Sequence, residues 1–252
     1  MADNPTWRVL PLSTHSAAQN MAIDQAVLEH IASGQSPPTI RFYQWNPSAV
    51  SIGYFQSLKR EVRVDELSRR GFEVVRRQTG GGAVYHDAQG EITYSILAPD
   101  SFFPNGITQS YHEICGFLVN AFARIGIASE FKPINDIIVS GKKISGNAQT
   151  RRNGVLLQHG TILYDLDVET MFSVLRVSDE KISDKFIASV RERVTRVKDH
   201  AQVSREELYQ ALLAGFTEKK EWMLGELSET ETRRADELAK TKYGAAEWNA
   251  LR

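Results

Sequence analysis

The sequence has a single cysteine, Cys115, among 252 residues. A lone thiol excludes an internal disulfide and a multi-cysteine zinc site. Long apolar runs are missing, so no segment reads as a membrane span. The first seven residues, Met1 to Trp7, lack a basic stretch followed by an apolar one and do not read as a secretory signal. An excess of either charge is missing too: 30 Lys and Arg stand against 31 Asp and Glu, a formal net charge of -1. Without a basic excess nothing argues for a broad nucleic-acid surface. No internal repeat or low-complexity tract is present. These absences point to a cytoplasmic protein with no membrane and no nucleic acid as partner.

What is present is enough for one packed core, since 42% of the residues are hydrophobic. Residues 17–33 read as a helix stopped by Ser33-Gly34 and Ser36-Pro37-Pro38. Residues 39–45 and 49–54 read as two strands of a hairpin joined through Asn46-Pro47. A short polar helix over 62–70 ends at Gly71, and a strand over 72–77 runs into three glycines. Residues 91–97 alternate polar and apolar, the pattern of a half-buried strand. Over 110–126, Ile114, Phe117, Leu118, Ala121, Phe122 and Ile125 form one apolar helical stripe. Further strands are expected at 136–139, 143–148 and 155–163. After about 165 the pattern turns helical and charged, with 175–200 polar and loop-rich. Strand-helix-strand alternation of a doubly wound fold is missing. The expected class is therefore α+β, a mixed, mainly antiparallel sheet flanked by helices. One domain is expected over 1–252, helical from about residue 200.

The strongest local signal is Arg76-Arg77-Gln78-Thr79-Gly80-Gly81-Gly82-Ala83-Val84-Tyr85-His86-Asp87. Three glycines let the backbone approach a ligand and turn several N–H groups inward, which suits an anion. Arg77 adds a donor fork that matches phosphate or carboxylate. The run is neither a P-loop nor a G-x-G-x-x-G turn. A second cluster joins Asn135-Asp136 to Lys142-Lys143 and Gly146-Asn147-Ala148 across a turn at Ser140-Gly141. A carboxylate there suits Mg²⁺. A lysine there suits a reacting carboxylate beside a phosphate, whose charges it can neutralise. Neighbouring strand residues face opposite ways, so at most one of Lys142 and Lys143 points into a site. A third cluster, Gln158-His159-Gly160-Thr161, lies in an apolar strand. There His159 is either a substrate contact or a hydrogen-bonded core residue.

In order and spacing, RRQTGGGAVYHD, NDIIVSGKKISGNAQ and LQHGTILYDLD resemble lipoate–protein ligase A of the biotin/lipoate ligase superfamily. So do Asn20 to Asp24, Gly53-Tyr54-Phe55-Gln56 and residues 189–194. The resemblance implies a two-step reaction: lipoate and ATP give lipoyl-AMP, and a carrier lysine then takes the lipoyl group. It implies that Lys143 is the essential lysine. Arg77, Gly80, Gly81, Gly82, Ala83, Val84, Tyr85, His86, Asn135, Asp136, Gly146, Ala148, His159 and Thr161 would line the ATP and lipoyl-AMP pocket. Asp136 would approach Mg²⁺. Val50, Ile52, Tyr54 and Phe55 would wall the acyl tunnel. ATP, Mg²⁺ and lipoate are expected as substrates, with no tightly bound prosthetic group. The expected partner is a lipoyl carrier, such as a 2-oxoacid dehydrogenase E2 or a glycine cleavage H protein. The resemblance leads to the expectation of a stand-alone catalytic domain without the family's C-terminal accessory domain, and of a separate accessory subunit for adenylation.

Two alternatives remain open at this point. A cysteine-dependent lipoyl or octanoyl transferase of the same superfamily would need an accessible thiolate. Residues 40–47, 53–56 and 148–151 resemble that class as well, but Cys115 falls on the apolar helix, away from the lysine turn. A lipoate-binding module without catalysis would keep the pocket and release no pyrophosphate. A biotin ligase fits less well, because the arginine-glycine repeat of its adenylate loop is missing.

Overall fold

Two sheets organise the described residues, 5–176 and 192–252, of this computed structural model. The strands are β1 (Trp7–His15), β2 (Thr39–Trp45), β3 (Ala49–Ile52), β4 (Glu73–Arg76), β5 (Val84–His86), β6 (Glu91–Pro99), β7 (Glu130–Lys132), β8 (Asp136–Val139), β9 (Lys142–Arg152), β10 (Val155–Leu163) and β11 (Trp222–Leu224). The large sheet runs β11-β1-β2-β6-β10-β9-β8-β7, and the small one β4-β3-β5. Within the large sheet every pairing from β2 across to β7 is antiparallel, while β1 pairs parallel with both β2 and β11; in the small sheet β3 pairs parallel with β4 and antiparallel with β5. The helices are α1 (Ala17–Ala32), α2 (Leu58–Glu61), α3 (Val64–Arg69), α4 (Ile107–Arg124), α5 (Val168–Val174), α6 (Arg205–Thr217), α7 (Glu229–Leu238) and α8 (Ala246–Asn249). The mixed α+β class, mainly antiparallel and flanked by helices, is what the pattern of elements called for.

Each face of the large sheet is covered. On one face the α4 stripe, with Ile114, Leu118, Ala121 and Phe122, meets Phe42, Tyr94, Ile144 and Leu156 of the sheet and Phe216 of α6. Burying each such side chain stabilises the fold by about 1.5–3 kcal/mol. On the opposite face α1 and α7 cover Tyr43, Trp45, Leu97 and Leu157. Ser16 starts α1 by accepting the Gln19 N–H, and Gly126, at φ 78°, follows the end of α4. The outer face of the small sheet makes its own cluster, where Val50, Ile52 and Tyr85 pack on Leu67 and Val174.

Three local expectations are corrected. β2 and β3 do not pair: β1 and β6 already occupy both edges of β2, so β3 crosses to the small sheet between β4 and β5. β6 is buried on both faces rather than one, because helices cover both sides. Its polar residues Glu91, Thr93 and Ser95 are inside, and there they bond to one another and to the site. β1, β5, β7 and β11 carry no alternation strong enough to read, and none of the four was expected. The loop-rich reading of 175–200 lies partly outside the described residues, as do positions 189–191 of the last family-like segment. Among the described residues no helix is long and apolar enough to cross a membrane.

Candidate active site

A cavity of about 380 Å³ lies between the inner face of the small sheet and the α1-side face of the large one. From β3 and β5 come Ser51, Val84 and His86, and from the large sheet Trp45, Thr93, Ala148, His159 and Thr161. Apolar side chains, including Met21, Leu163, Met171 and Leu175, make much of the remaining wall. Of the expected positions, Arg77, Gly81, Gly82, Ala83, Val84, Tyr85, His86, Asn135, Lys143, Gly146, Ala148, His159 and Thr161 line it. Gly80 lies in the loop beside it. The tunnel walls expected at Val50, Ile52, Tyr54 and Phe55 are elsewhere. Val50 and Ile52 alternate onto the outer face of the small sheet, and Phe55 is 70% exposed.

The glycine loop is built around Arg77. Its Nε donates to Thr79 Oγ1, one terminal nitrogen to the Ser51 carbonyl and Oγ, and the other to the carbonyls of Gly80 and Gly82. Every guanidinium nitrogen is thus spent on protein oxygens, and Arg77 is a strut rather than a free phosphate fork. Burial pulls its pKa down to about 10, which leaves it a cation at neutral pH. Arg76 is a strut as well. It donates to the carbonyls of Gly53, Tyr54 and Gln56 and to those of Trp248 and Asn249 in α8. Gly53 is required by contact: a Cβ there would stand 2.1 Å from the Gly81 carbonyl oxygen.

The lysine hairpin approaches from the other side. Ser140 and Gly141, both at positive φ, turn β8 into β9. Lys143 lines the cavity, whereas its neighbour Lys142 is exposed. The Lys143 ammonium is 2.7 Å from Asp136 Oδ1. Gly146 makes room for it, since a Cβ there would be 2.6 Å from Lys143 Nζ. Asn135 and Asn147 fix the register by exchanging side-chain and main-chain hydrogen bonds, and Tyr94 donates to Asn147 Oδ1. Val194, after the undescribed stretch, bridges to Lys143 and also lines the cavity. Asp136 does not fit a resident magnesium site. Lys143 already neutralises the carboxylate oxygen, and among the described residues no three His, Cys, Asp or Glu side chains converge as metal ligands.

Two hydroxyl–imidazole–carboxylate sets flank Arg77. In one, Thr79 Oγ1 is 2.8 Å from His159 Nε2, and His159 Nδ1 is 3.4 Å from Asp24 Oδ2. Asp24 is held mainly by Arg41, at 2.9 Å, and by Ser95, at 2.7 Å. Burial alone would raise the Asp24 carboxyl, but its hydrogen bonds and the Arg41 charge prevail and its pKa lies below the ordinary value. Burial lowers that of His159, which favours the neutral ring. In the other set, Ser51 Oγ is 2.8 Å from His86 Nε2, and His86 Nδ1 is 2.8 Å from Glu91 Oε1. Ser51, Thr79, Asp24 and Glu91 were not among the expected site residues. Glu91, Thr93 and Ser95 at i, i+2 and i+4 were the available signal, because they share one strand face.

Cys115 is fully buried in α4, and Gln158 Nε2 lies 3.9 Å from its sulfur. Gln158 and His159 are successive strand residues, so they face opposite sides of the sheet. The thiol therefore lies on the face away from the cavity, and burial raises its pKa to about 12.

The chain matches the model of the lipoyl protein ligase A/B catalytic domain over residues 16–217. An octanoyltransferase LipM of Kyrpidia tusciae is 40% identical, over 97% of this chain and 98% of its own. That of Brevibacillus brevis is 35% identical, over 98% and 99%. Among solved structures, one of an archaeal lipoylation system from Thermoplasma acidophilum superposes with a TM-score of 0.89 at 35% identity, covering 98% of both chains. It is described as a bi-partite lipoate protein ligase and its E2 lipoyl domain. A lipoate-protein ligase A bound with ATP superposes with a TM-score of 0.84 at 31% identity, covering 98% of this chain and 100% of that one. The expectation of an ATP-dependent, adenylate-forming ligase is corrected by the curated relatives, which match end to end and are octanoyltransferases. A mainly antiparallel sheet, a glycine loop braced by a buried arginine and a lysine hairpin across one apolar cavity agree with the sequence match: the chain belongs to the lipoyl protein ligase A/B catalytic-domain family.

Proposed function

We propose that the protein is an acyltransferase that moves an octanoyl group from a thioester donor to a lysine of a lipoyl carrier domain. The observation that carries the reading is an apolar cavity with the Lys143 ammonium on its wall. The curated relatives supply the acyl group by name, and the T. acidophilum structure supplies the class of acceptor. Forming an amide from an already activated thioester needs no ATP and no Mg²⁺. The accessory subunit expected for adenylation has no step to serve in this reaction.

In this reading the acyl chain lies among Met21, Leu163, Met171 and Leu175. The carbonyl lies near Lys143, whose ammonium stabilises the oxyanion as the carbonyl carbon becomes tetrahedral. Asp136 keeps that ammonium in place, 2.7 Å away. The loop supplies further donors: among the described residues the N–H groups of Gly80, Gly81, Gly82 and Ala83 donate to no main-chain carbonyl. His159, whose pKa burial lowers, holds the Thr79 hydroxyl at the base of the loop, 2.8 Å away.

The test is an assay of carrier mass. The purified chain is given a lipoyl domain with an octanoyl thioester, and separately with octanoate or lipoate plus ATP and Mg²⁺. One octanoyl group per carrier in the first arm is the expected result. Modification in the second arm alone, with pyrophosphate release, would overturn the reading.

A further inference from the structure

A transferase that works in two half-reactions needs a nucleophile inside its cavity. Cys115, on the far face of the sheet with its pKa raised to about 12, does not serve. Ser51 does face the cavity, on β3, in register with Val84 and two residues from Ala49, the partner of His86. Its Oγ is 2.8 Å from His86 Nε2, and His86 Nδ1 is 2.8 Å from Glu91 Oε1. The imidazole is fixed from a second direction by Trp45, stacked at 3.9 Å between ring centroids and 15° between planes. Trp45 in turn donates to Thr93, which donates to the same oxygen of Glu91.

The order of these bonds sets the protons. Glu91 accepts from Nδ1–H, which leaves Nε2 as the acceptor of the Ser51 hydroxyl proton. Arg77 donates to Ser51 Oγ at 3.1 Å, so a fixed positive charge stabilises an alkoxide on that oxygen. Glu91 is buried, and among the described residues His86 is its only ion-pair partner. Its second oxygen, Oε2, has no hydrogen-bond partner there. Such a carboxylate is matched in charge when His86 becomes an imidazolium. The Thr79–His159–Asp24 set lacks this feature, because Asp24 is already paired with Arg41.

We propose that Ser51 is the residue that carries the acyl group, with His86 as its base and Glu91 as the positioning residue behind the ring. This rests on the acyl-transfer reading above. Ser51 Oγ attacks the thioester carbonyl and passes its proton to His86 Nε2. The C–S bond then breaks, and the departing sulfur takes that proton to leave as a thiol. The neutral carrier lysine attacks the acyl-Ser51 ester, gives a proton to His86, and the C–O bond breaks as Ser51 Oγ recovers it. The sum is thioester plus amine giving amide plus thiol.

The experiment incubates the full chain with octanoyl-coenzyme A and no carrier, followed by intact mass and peptide mapping. A single octanoyl group on the Ser51 peptide, stable to neutral hydroxylamine and released by alkali, is expected. Ser51→Ala should lose the adduct and slow transfer to the carrier by about 10³-fold or more. Ser51→Cys should keep an adduct and make it labile to neutral hydroxylamine, which guards against a variant that merely misfolds. Glu91→Gln should lower kcat at near-constant KM. An adduct on Cys115, or transfer by a folded Ser51→Ala at the normal rate, would overturn the role of Ser51 and leave octanoyl transfer standing. Failure of the unaltered chain to modify the carrier from any octanoyl thioester would overturn both.

Discussion

Lys143 and Cys115 divide the chemistry of this chain between a residue that reaches the cavity and one that does not. Lys143→Ala should reduce octanoyl transfer by about 10²–10³-fold, the usual loss when one oxyanion donor is removed. Its side chain is 39% exposed and packs little, so the melting temperature should hardly move. Transfer near the normal rate by that variant would remove Lys143 from the site. Cys115→Ser should transfer at the normal rate, measured by carrier mass. Its cost is in stability, about 1–3 kcal/mol, because a hydroxyl replaces a thiol in an apolar setting. Loss of transfer by a folded Cys115→Ser would restore the thiol as nucleophile. At this scale the sequence was readable where the signal was local. Three glycines in a row and a lysine beside a turn mark themselves. Ser51 did not, because its meaning depends on His86 and Glu91, which strand pairing and side-chain bonds bring to it from 35 and 40 residues along the chain.

The loop after β4 shows how elements set the site. Arg77 holds the loop's carbonyls, Arg76 holds the turn after β3, and the two meet where Gly53 lies against Gly81. Gly53→Ala puts a methyl group 2.1 Å from the Gly81 carbonyl, backbone against backbone, and one of the two turns must shift. Transfer should fall at least about tenfold through misplaced donors, while overall helix and strand content is kept. An unchanged rate would mean that the loop position does not govern the reaction. The same region marks where the element pattern misled. Residues 39–45 and 49–54 have the spacing of a hairpin, yet hydrogen-bonding capacity decides pairing, and β2 has no free edge. The α4 helix was legible because its apolar stripe faces one surface. β6 was misread because its alternation separates two buried environments rather than core from solvent.

Across the whole molecule, β1 and α7 are tied by a buried ion pair that takes no part in the cavity wall. Arg8 donates to both oxygens of Glu231 at 2.7 Å, and Ser36 donates to one of them. Burial alone would raise the Glu231 carboxyl, but Arg8, the Ser228 N–H and Ser36 outweigh it and hold its pKa at about 2. A carboxyl depressed in the folded state contributes stability above its unfolded pKa, and that contribution is lost as pH falls from there through the folded value. The window here runs from the ordinary value of 4.5 down to about 2. Glu231→Gln keeps the size of the side chain and can still accept from the Ser228 N–H, so it isolates the charge. At pH 7 it should cost about 3–5 kcal/mol, because the Arg8 guanidinium stays buried without its partner. Below about pH 4.5 the gap from the unaltered chain should narrow, as the unfolded chain's carboxyl takes up a proton that the folded one does not. Denaturant titrations at pH 7 and pH 3 measure both quantities. A gap that is constant with pH would show that the side chain's packing, and not its charge, joins α7 to the sheet. Because the pair touches neither the loop nor the lysine hairpin, transfer per folded molecule should be unchanged, which separates the stability of the scaffold from the chemistry it holds.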